Sequence, residues 1–167
     1  MKPLVLCYSL TGNTKKICGC LAKSLRADFA EIKEISHRGK IGAYTLGAFA
    51  AIRRKSSDIR PIATDIAAYG TLVIATPVWA GNVTPAVNDF VREYELRGKT
   101  VYGLLTHLGG PKDAAKNLKE EIEAAGAVCP NVLSLEATKE NIYSLKAGRR
   151  VFALENNVLV LRDGEAQ

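Results

Sequence analysis

Six consecutive residues, Ser9-Leu10-Thr11-Gly12-Asn13-Thr14, bring three hydroxyls, one amide side chain and one glycine into a single short turn. The apolar run before it, residues 4–8, reads as a strand. Behind it Cys18, Leu21, Ala22 and Leu25 repeat at i, i+3, i+4 and i+7, so the turn opens a helix. Glycine permits tight curvature, the side chains aim several donors at one point, and the helix start adds unpaired N–H groups and the positive end of its dipole. Such a point suits a phosphate; the plainer reading is a capped Ser/Thr-rich turn. Neither Gly-x-x-x-x-Gly-Lys-Ser/Thr nor Gly-x-Gly-x-x-Gly occurs here, so the nucleoside triphosphate and dinucleotide fingerprints do not apply.

A second group, Thr76-Pro77-Val78-Trp79-Ala80-Gly81-Asn82, follows the apolar run 72–75 and holds the only tryptophan of the chain. Pro77 stiffens the exit from the strand, Trp79 offers a flat apolar surface, and Gly81 lets the backbone approach closely or turn at positive φ. A planar aromatic ligand fits such a loop, although Trp79 taken alone reads first as a packing residue. A third group, Thr106-His107-Leu108-Gly109-Gly110-Pro111, follows the run 101–105. His107 is one of two histidines, with His37, and no acid or base stands beside it in sequence, so it reads first as a loop histidine. Neither a Ser-His-Asp set nor a metal-ligand set is evident.

The three groups share one property. Each leaves the carboxyl end of a candidate strand, and in an open parallel sheet the ligand crevice lies outside those ends, where the strand order reverses. The elements that position them alternate short apolar runs (4–8, 72–75, 101–105 and a weaker 127–135) with helical segments, which is the α/β pattern, and runs apolar on both faces suit buried parallel strands. Residues 29–35 mix Ile32 and Ile35 with charges and suit an edge strand. Val87, Phe90, Val91 and Tyr94 form a second helical stripe, with Thr84 as N-cap and Pro85 at the first helical position. Further helices are expected over 112–125 and 139–154, with another over 41–54. Asn156-Asn157 reads as a helix stop, and residues 158–161 as either a short strand or an extended tail. The expected organisation is one domain, residues 1–155, and a C-terminal tail, 156–167.

With 167 residues, 47% hydrophobic and 24% charged, the chain has the composition of one globular domain, and its length buries a core without disulfides or a structural metal. No apolar run reaches the length of a membrane span, and the N-terminus lacks a secretory h-region, so a cytoplasmic location is expected. Cys7, Cys18, Cys20 and Cys129 have no metal or Cys-x-x-Cys spacing and read as reduced thiols. The net charge is +6, and segment 37–60 gathers Arg38, Lys40, Arg53, Arg54, Lys55 and Arg60 against Asp58 alone. Such a patch suits an acidic protein, a phosphorylated cofactor tail or nucleic acid, and its plainer reading is a solvated basic loop; no nucleic-acid module accompanies it, which argues against nucleic acid.

Residues 9–14 resemble the Ser/Thr-x-Thr-Gly-Asn-Thr phosphate loop of the flavodoxin-like proteins, which bind flavin mononucleotide (FMN); residues 76–82 and 106–110 resemble the family's two ring-holding loops less specifically. The resemblance covers about residues 1–150. It implies a three-layer α/β fold with a five-stranded parallel sheet of order 2-1-3-4-5 and helices on both faces. It implies that Ser9, Thr11, Gly12, Asn13 and Thr14 bind the phosphate through neutral donors. Pro77, Val78, Trp79, Ala80, Gly81 and Asn82, with Thr106, His107, Leu108, Gly109 and Gly110, enclose the isoalloxazine, and backbone near Ala80, Gly81 and Asn82 meets the reactive nitrogen. The flavin carries the redox chemistry while the protein tunes it. Electron-carrier members are usually acidic, whereas this chain has a pI near 9.2, which implies a less negative potential for the second electron, to be checked by redox titration.

The first expectation is therefore FMN-dependent electron transfer between redox protein partners, an acidic one among them, with no catalytic acid or nucleophile. The alternative is an NAD(P)H-dependent FMN oxidoreductase reducing a quinone or another small acceptor. A binding module that has lost flavin stands third. The sequence leaves the oligomeric state open.

Overall fold

Leu4, Val5, Leu6 and Cys7 are all buried, and they alternate between two half-cores: Leu4 and Leu6 pack on one face of a sheet, Val5 and Cys7 on the other. A strand covered on both sides is a continuous apolar run for this reason. The computed structural model describes residues 2–35 and 59–164. Most of the basic segment 37–60, His37 and the expected helix over 41–54 lie outside the described residues.

The strand Leu4–Cys7 (β1) is central. It pairs in parallel with Asp28–Glu31 (β2) and with Thr71–Trp79 (β3), in registers Leu4↔Asp28 and Leu4↔Leu72. Thr100–His107 (β5) pairs with β3, and Val132–Glu136 (β6) with β5, both in parallel. The two residues Asn82–Val83 (β4) fold back antiparallel on the end of β3. The sheet order is β2-β1-β3-β5-β6, the expected 2-1-3-4-5 with β4 as an additional strand, and β2 lies at an edge as its mixed composition requires. The chain runs from β1 outward to β2 and then returns to the other side of β1 with β3, so the order reverses there.

Helices cover both faces. Asn13–Leu25 (α1) contributes Ile17, Cys18 and Leu21 to one half-core, and Lys139–Lys146 (α4) adds Leu145. Pro85–Glu93 (α2) contributes Val87, Phe90 and Val91 to the other, and Ala114–Ala124 (α3) adds Leu118 and Ile122. Thr84 does precede α2, with Pro85 in the first turn, but the Thr84 hydroxyl makes no cap bond. All four cysteines are free, with Cys7, Cys18 and Cys129 buried.

The helix expected over 139–154 is corrected by the structure. It ends at Lys146, Gly148 turns the chain at φ 71°, and Arg150–Glu155 (β7) follows as a strand. Asn156 and Asn157, at φ 49° and 60°, form a two-residue hairpin turn rather than a helix stop, leading into Val158–Asp163 (β8), which pairs with β7. The tail expected from residue 156 thus continues the fold through Asp163. Phe152 and Leu159 enter the half-core beneath α1. The Asn131 side chain fastens the hairpin, accepting from Leu159 N–H and donating to Leu159 C=O, each at 2.9 Å. Among the described residues, no helix is long and apolar enough to cross a membrane.

Candidate functional site

The first site element is the turn from β1 into α1. Gly12 is the N-cap of α1 at φ 91°, a left-handed conformation that disfavours any residue with a Cβ. Its backbone is open as well as curved: a Cβ placed there meets nothing within 4 Å. Ser9 Oγ accepts from Gly12 N–H at 3.1 Å, which tightens the turn instead of capping the helix. No side chain caps α1, so its first-turn N–H groups keep their donor capacity and the positive end of the dipole. The nearby ammonium of Lys15 is turned to Glu31 at 2.5 Å, and that bond raises its pKa. The donors at this turn are therefore neutral.

Thr14 is buried, and its Oγ1 lies 2.8 Å from Thr106 Oγ1 at the end of β5. That bond ties the first turn to the third. Beyond Thr106, the Gly110 N–H donates to His107 Nδ1 at 2.9 Å and closes the 107–110 loop. A neutral His107 then carries its proton on Nε2, the atom left for any ligand. Leu108 stands at the rim, 71% exposed.

The second loop is a stiff hairpin. Trp79 pairs with Asn82 across a two-residue turn in which Ala80 and Gly81 both have positive φ, 50° and 81°. The stem of Lys112 lies over this turn, within 2.7 Å of where a Gly81 Cβ would be. Thr76 Oγ1 bonds Thr84 Oγ1 at 2.9 Å, and the Asn82 amide oxygen accepts from Asn117. Trp79 is half-buried and meets Tyr8 edge-to-face, centroids 5.8 Å apart at 76°.

These loops enclose a cavity of about 180 Å³. Its wall takes Leu10, Thr11, Asn13 and Thr14 from the first turn, Pro77, Val78 and Trp79 from the second loop, and Thr106, His107 and Leu108 from the third. Ser9, Gly12, Ala80, Gly81, Asn82, Gly109 and Gly110 shape the loops without lining the cavity. Ala137 lines it too and was not anticipated; it follows β6, whose carboxyl end adjoins that of β5, and its N–H donates to His107 C=O at 2.8 Å. The position of β6 in the sheet is the signal that could have found it.

Other chemistry is weak here. Burial pushes the Cys129 thiol up to about 11, and burial together with the neighbouring Cys7 raises Cys18, so neither is a ready thiolate. Among the described residues, no group of histidine, cysteine and acidic side chains is arranged to hold a metal ion. A wider groove of about 440 Å³ lies between the C-terminal ends of α2 and α3, at the other edge of the sheet, with Arg92, Tyr94 and Arg97 in its wall.

Comparisons with known proteins agree with this geometry. No curated protein matches the chain in sequence. A flavoprotein from Lactobacillus acidophilus NCFM, solved in complex with FMN, superposes with a TM-score of 0.69 at 19% identity, over 80% of this chain and 92% of that one. A Bacteroides uniformis protein assigned as a flavoprotein gives 0.67 at 22% identity, over 87% and 97%. Two-electron reduced Megasphaera elsdenii flavodoxin gives 0.57 at 15%, over 86% and 93%. The fold is therefore flavodoxin-like. The sequence model described as NADPH-dependent FMN reductase matches residues 1–138, and the chain belongs to that family.

Proposed function

We propose that the protein holds FMN in this cleft and acts in electron transfer, exchanging electrons with redox protein partners. The observation that carries the reading is the meeting, in one cavity, of an uncapped helix start at an open glycine turn with an aromatic and aliphatic wall. The donor set fits a phosphate ester: neutral hydroxyls, an amide and first-turn N–H groups, with the dipole favouring the anion. The ring side fits an isoalloxazine, since Pro77, Val78, Trp79 and Leu108 present apolar surface. FMN, when bound, supplies one- and two-electron chemistry; the chain binds, orients and partly shields it.

The cavity, at about 180 Å³, is smaller than the roughly 300 Å³ or more that encloses a drug-sized ligand, so a flavin held here would be only partly enclosed. Leu108 and Trp79 border the cavity, Leu108 being mostly exposed, and a protein partner would approach a bound flavin there. The polar side chains of the second loop bond within the protein, and among the described residues the cavity wall holds no carboxylate or thiol, which suits transfer of electrons more than acid–base work on a substrate.

A second reading, an NAD(P)H-dependent oxidoreductase acting on a quinone or another small acceptor, is favoured by the family match over residues 1–138. One experiment separates the two. The purified protein is mixed with FMN, its visible spectrum recorded, and NADPH and then NADH added without oxygen. A bound flavin that ignores both nucleotides and bleaches with dithionite supports the carrier. Rapid bleaching by a nucleotide supports the oxidoreductase, and absence of a bound flavin refutes both.

A further inference from the structure

Thr14 Oγ1 and Thr106 Oγ1 lie 2.8 Å apart although 92 residues separate them in sequence, and their residues are only 2% and 3% exposed. Neither hydroxyl has another hydrogen-bond partner among the described residues. Two hydroxyls carry two protons, and a single one lies between the two oxygens, so the other points away from the pair. Both residues line the cleft, which makes that second O–H a donor for whatever sits there.

The direction of the pair decides where the donor is. When Thr106 donates to Thr14, the outward O–H belongs to Thr14, in the first turn of α1 beside the uncapped N–H groups. When Thr14 donates to Thr106, the outward O–H moves to the end of β5, beside His107. A phosphate dianion offers acceptors alone and sits best at the helix start, so its presence selects the first direction.

We propose that Thr106 is a positioning residue for phosphate: its hydroxyl donates to Thr14 and holds the Thr14 hydroxyl as a donor toward the anion. The inference rests on the reading that the turn 9–14 receives the phosphate of FMN. Its consequence is a specificity for the phosphorylated flavin that depends on a residue in a ring-side loop. Chained hydroxyls polarise one another, so the bond from Thr14 to the anion is stronger with Thr106 in place than without it.

The test is a double-mutant cycle read as the ratio of FMN to riboflavin affinity, measured by quenching of flavin fluorescence, with folding verified by far-ultraviolet circular dichroism. Riboflavin lacks the phosphate and controls for changes in cavity shape. Thr14→Val is expected to lower the ratio about ten-fold, as for loss of a hydrogen bond to a charged group. Thr106→Val is expected to lower it about three-fold, Thr106→Ser to restore it, and Thr106→Val added to Thr14→Val to lower it no further. Thr106→Ala replaces the valine variant if that one fails to fold. The proposal is overturned if the Thr106 variants weaken both flavins equally, or if the Thr106 effect persists in full without the Thr14 hydroxyl. Equal affinity of the unaltered protein for FMN and riboflavin overturns the phosphate reading itself and the proposal with it.

Discussion

The turn after β1 and the hairpin formed by the end of β3 with β4 bound the same cleft but treat their polar groups in opposite ways. In the first, α1 begins without a side-chain cap and Gly12 faces open space, so donors remain available. In the second, Thr76 bonds Thr84, Asn82 bonds Asn117, and the backbone pairs with itself through β4, so what faces the cleft is Pro77, Val78 and the Trp79 ring. On the proposed reading, recognition of charge belongs to the first region and recognition of a flat apolar surface to the second. An energetic corollary follows: the first region is left slightly less stable than it could be, because a glycine N-cap gives up roughly a few tenths of a kcal/mol relative to a side-chain cap, while the second is braced.

The contrast is broken most strongly by Asn13→Asp. A carboxylate in the first turn of α1 complements the dipole and raises stability by roughly 0.3–1 kcal/mol, yet it repels a phosphate in the same place. FMN affinity is expected to fall by roughly two orders of magnitude while the melting temperature rises by a few degrees, the affinity loss reflecting like charges in a partly desolvated cleft. Parallel calorimetry and flavin titration would show the two quantities moving in opposite directions; both falling together would mean that Asn13 is structural.

Trp79→Ala addresses the other side. Loss of the ring surface is expected to weaken FMN and riboflavin alike, by roughly ten-fold, and to leave their ratio unchanged. A change in the ratio would place phosphate recognition in the second loop. Gly81→Ala tests the bracing of that loop: a Cβ at φ 81° and within 2.7 Å of the Lys112 stem should cost about 1–2 kcal/mol of stability, measured by urea unfolding. A neutral result would mean that the hairpin relaxes easily.

The smallest effect belongs to a region outside the cleft. Lys2 lies 2.5 Å from Asp28 at the amino end of β2, and hydrogen bonds from Lys2 and Tyr69 lower the Asp28 pKa. A depressed folded-state pKa contributes stability that is present above the unfolded value, near 4, and is lost as pH falls through the folded one. Asp28→Asn should therefore lower stability slightly at neutral pH, by an amount that salt reduces and that disappears as pH falls below about 4, and leave FMN affinity alone.

Much of this was legible in the sequence, for physical reasons that differ by element. The runs around Val5, Val73 and Leu104 stand out because central parallel strands are apolar on both faces. The three loops stand out because glycine, proline and hydroxyl residues punctuate the carboxyl ends of those runs. The C-terminal hairpin was hidden because Val151, Phe152, Ala153 and Leu154 follow a helix and fit its period as readily as a strand's; two asparagines at positive φ decide the matter, and their conformation is not written in composition. Ala137 was hidden because alanine carries no chemical sign and only the neighbourhood of β5 and β6 brings it to the cleft. The Thr14–Thr106 bond was hidden because it needs the sheet order before two distant hydroxyls can meet.

The most direct test of the central claim is a map of backbone amide resonances of the isotopically labelled protein as FMN is added. The account predicts large shifts at Gly12, Asn13 and Thr14, at Trp79 and Ala80, and at His107 and Leu108, with the β7–β8 hairpin unmoved. Shifts confined to the Arg92–Arg97 groove, or none at saturating FMN, would contradict it.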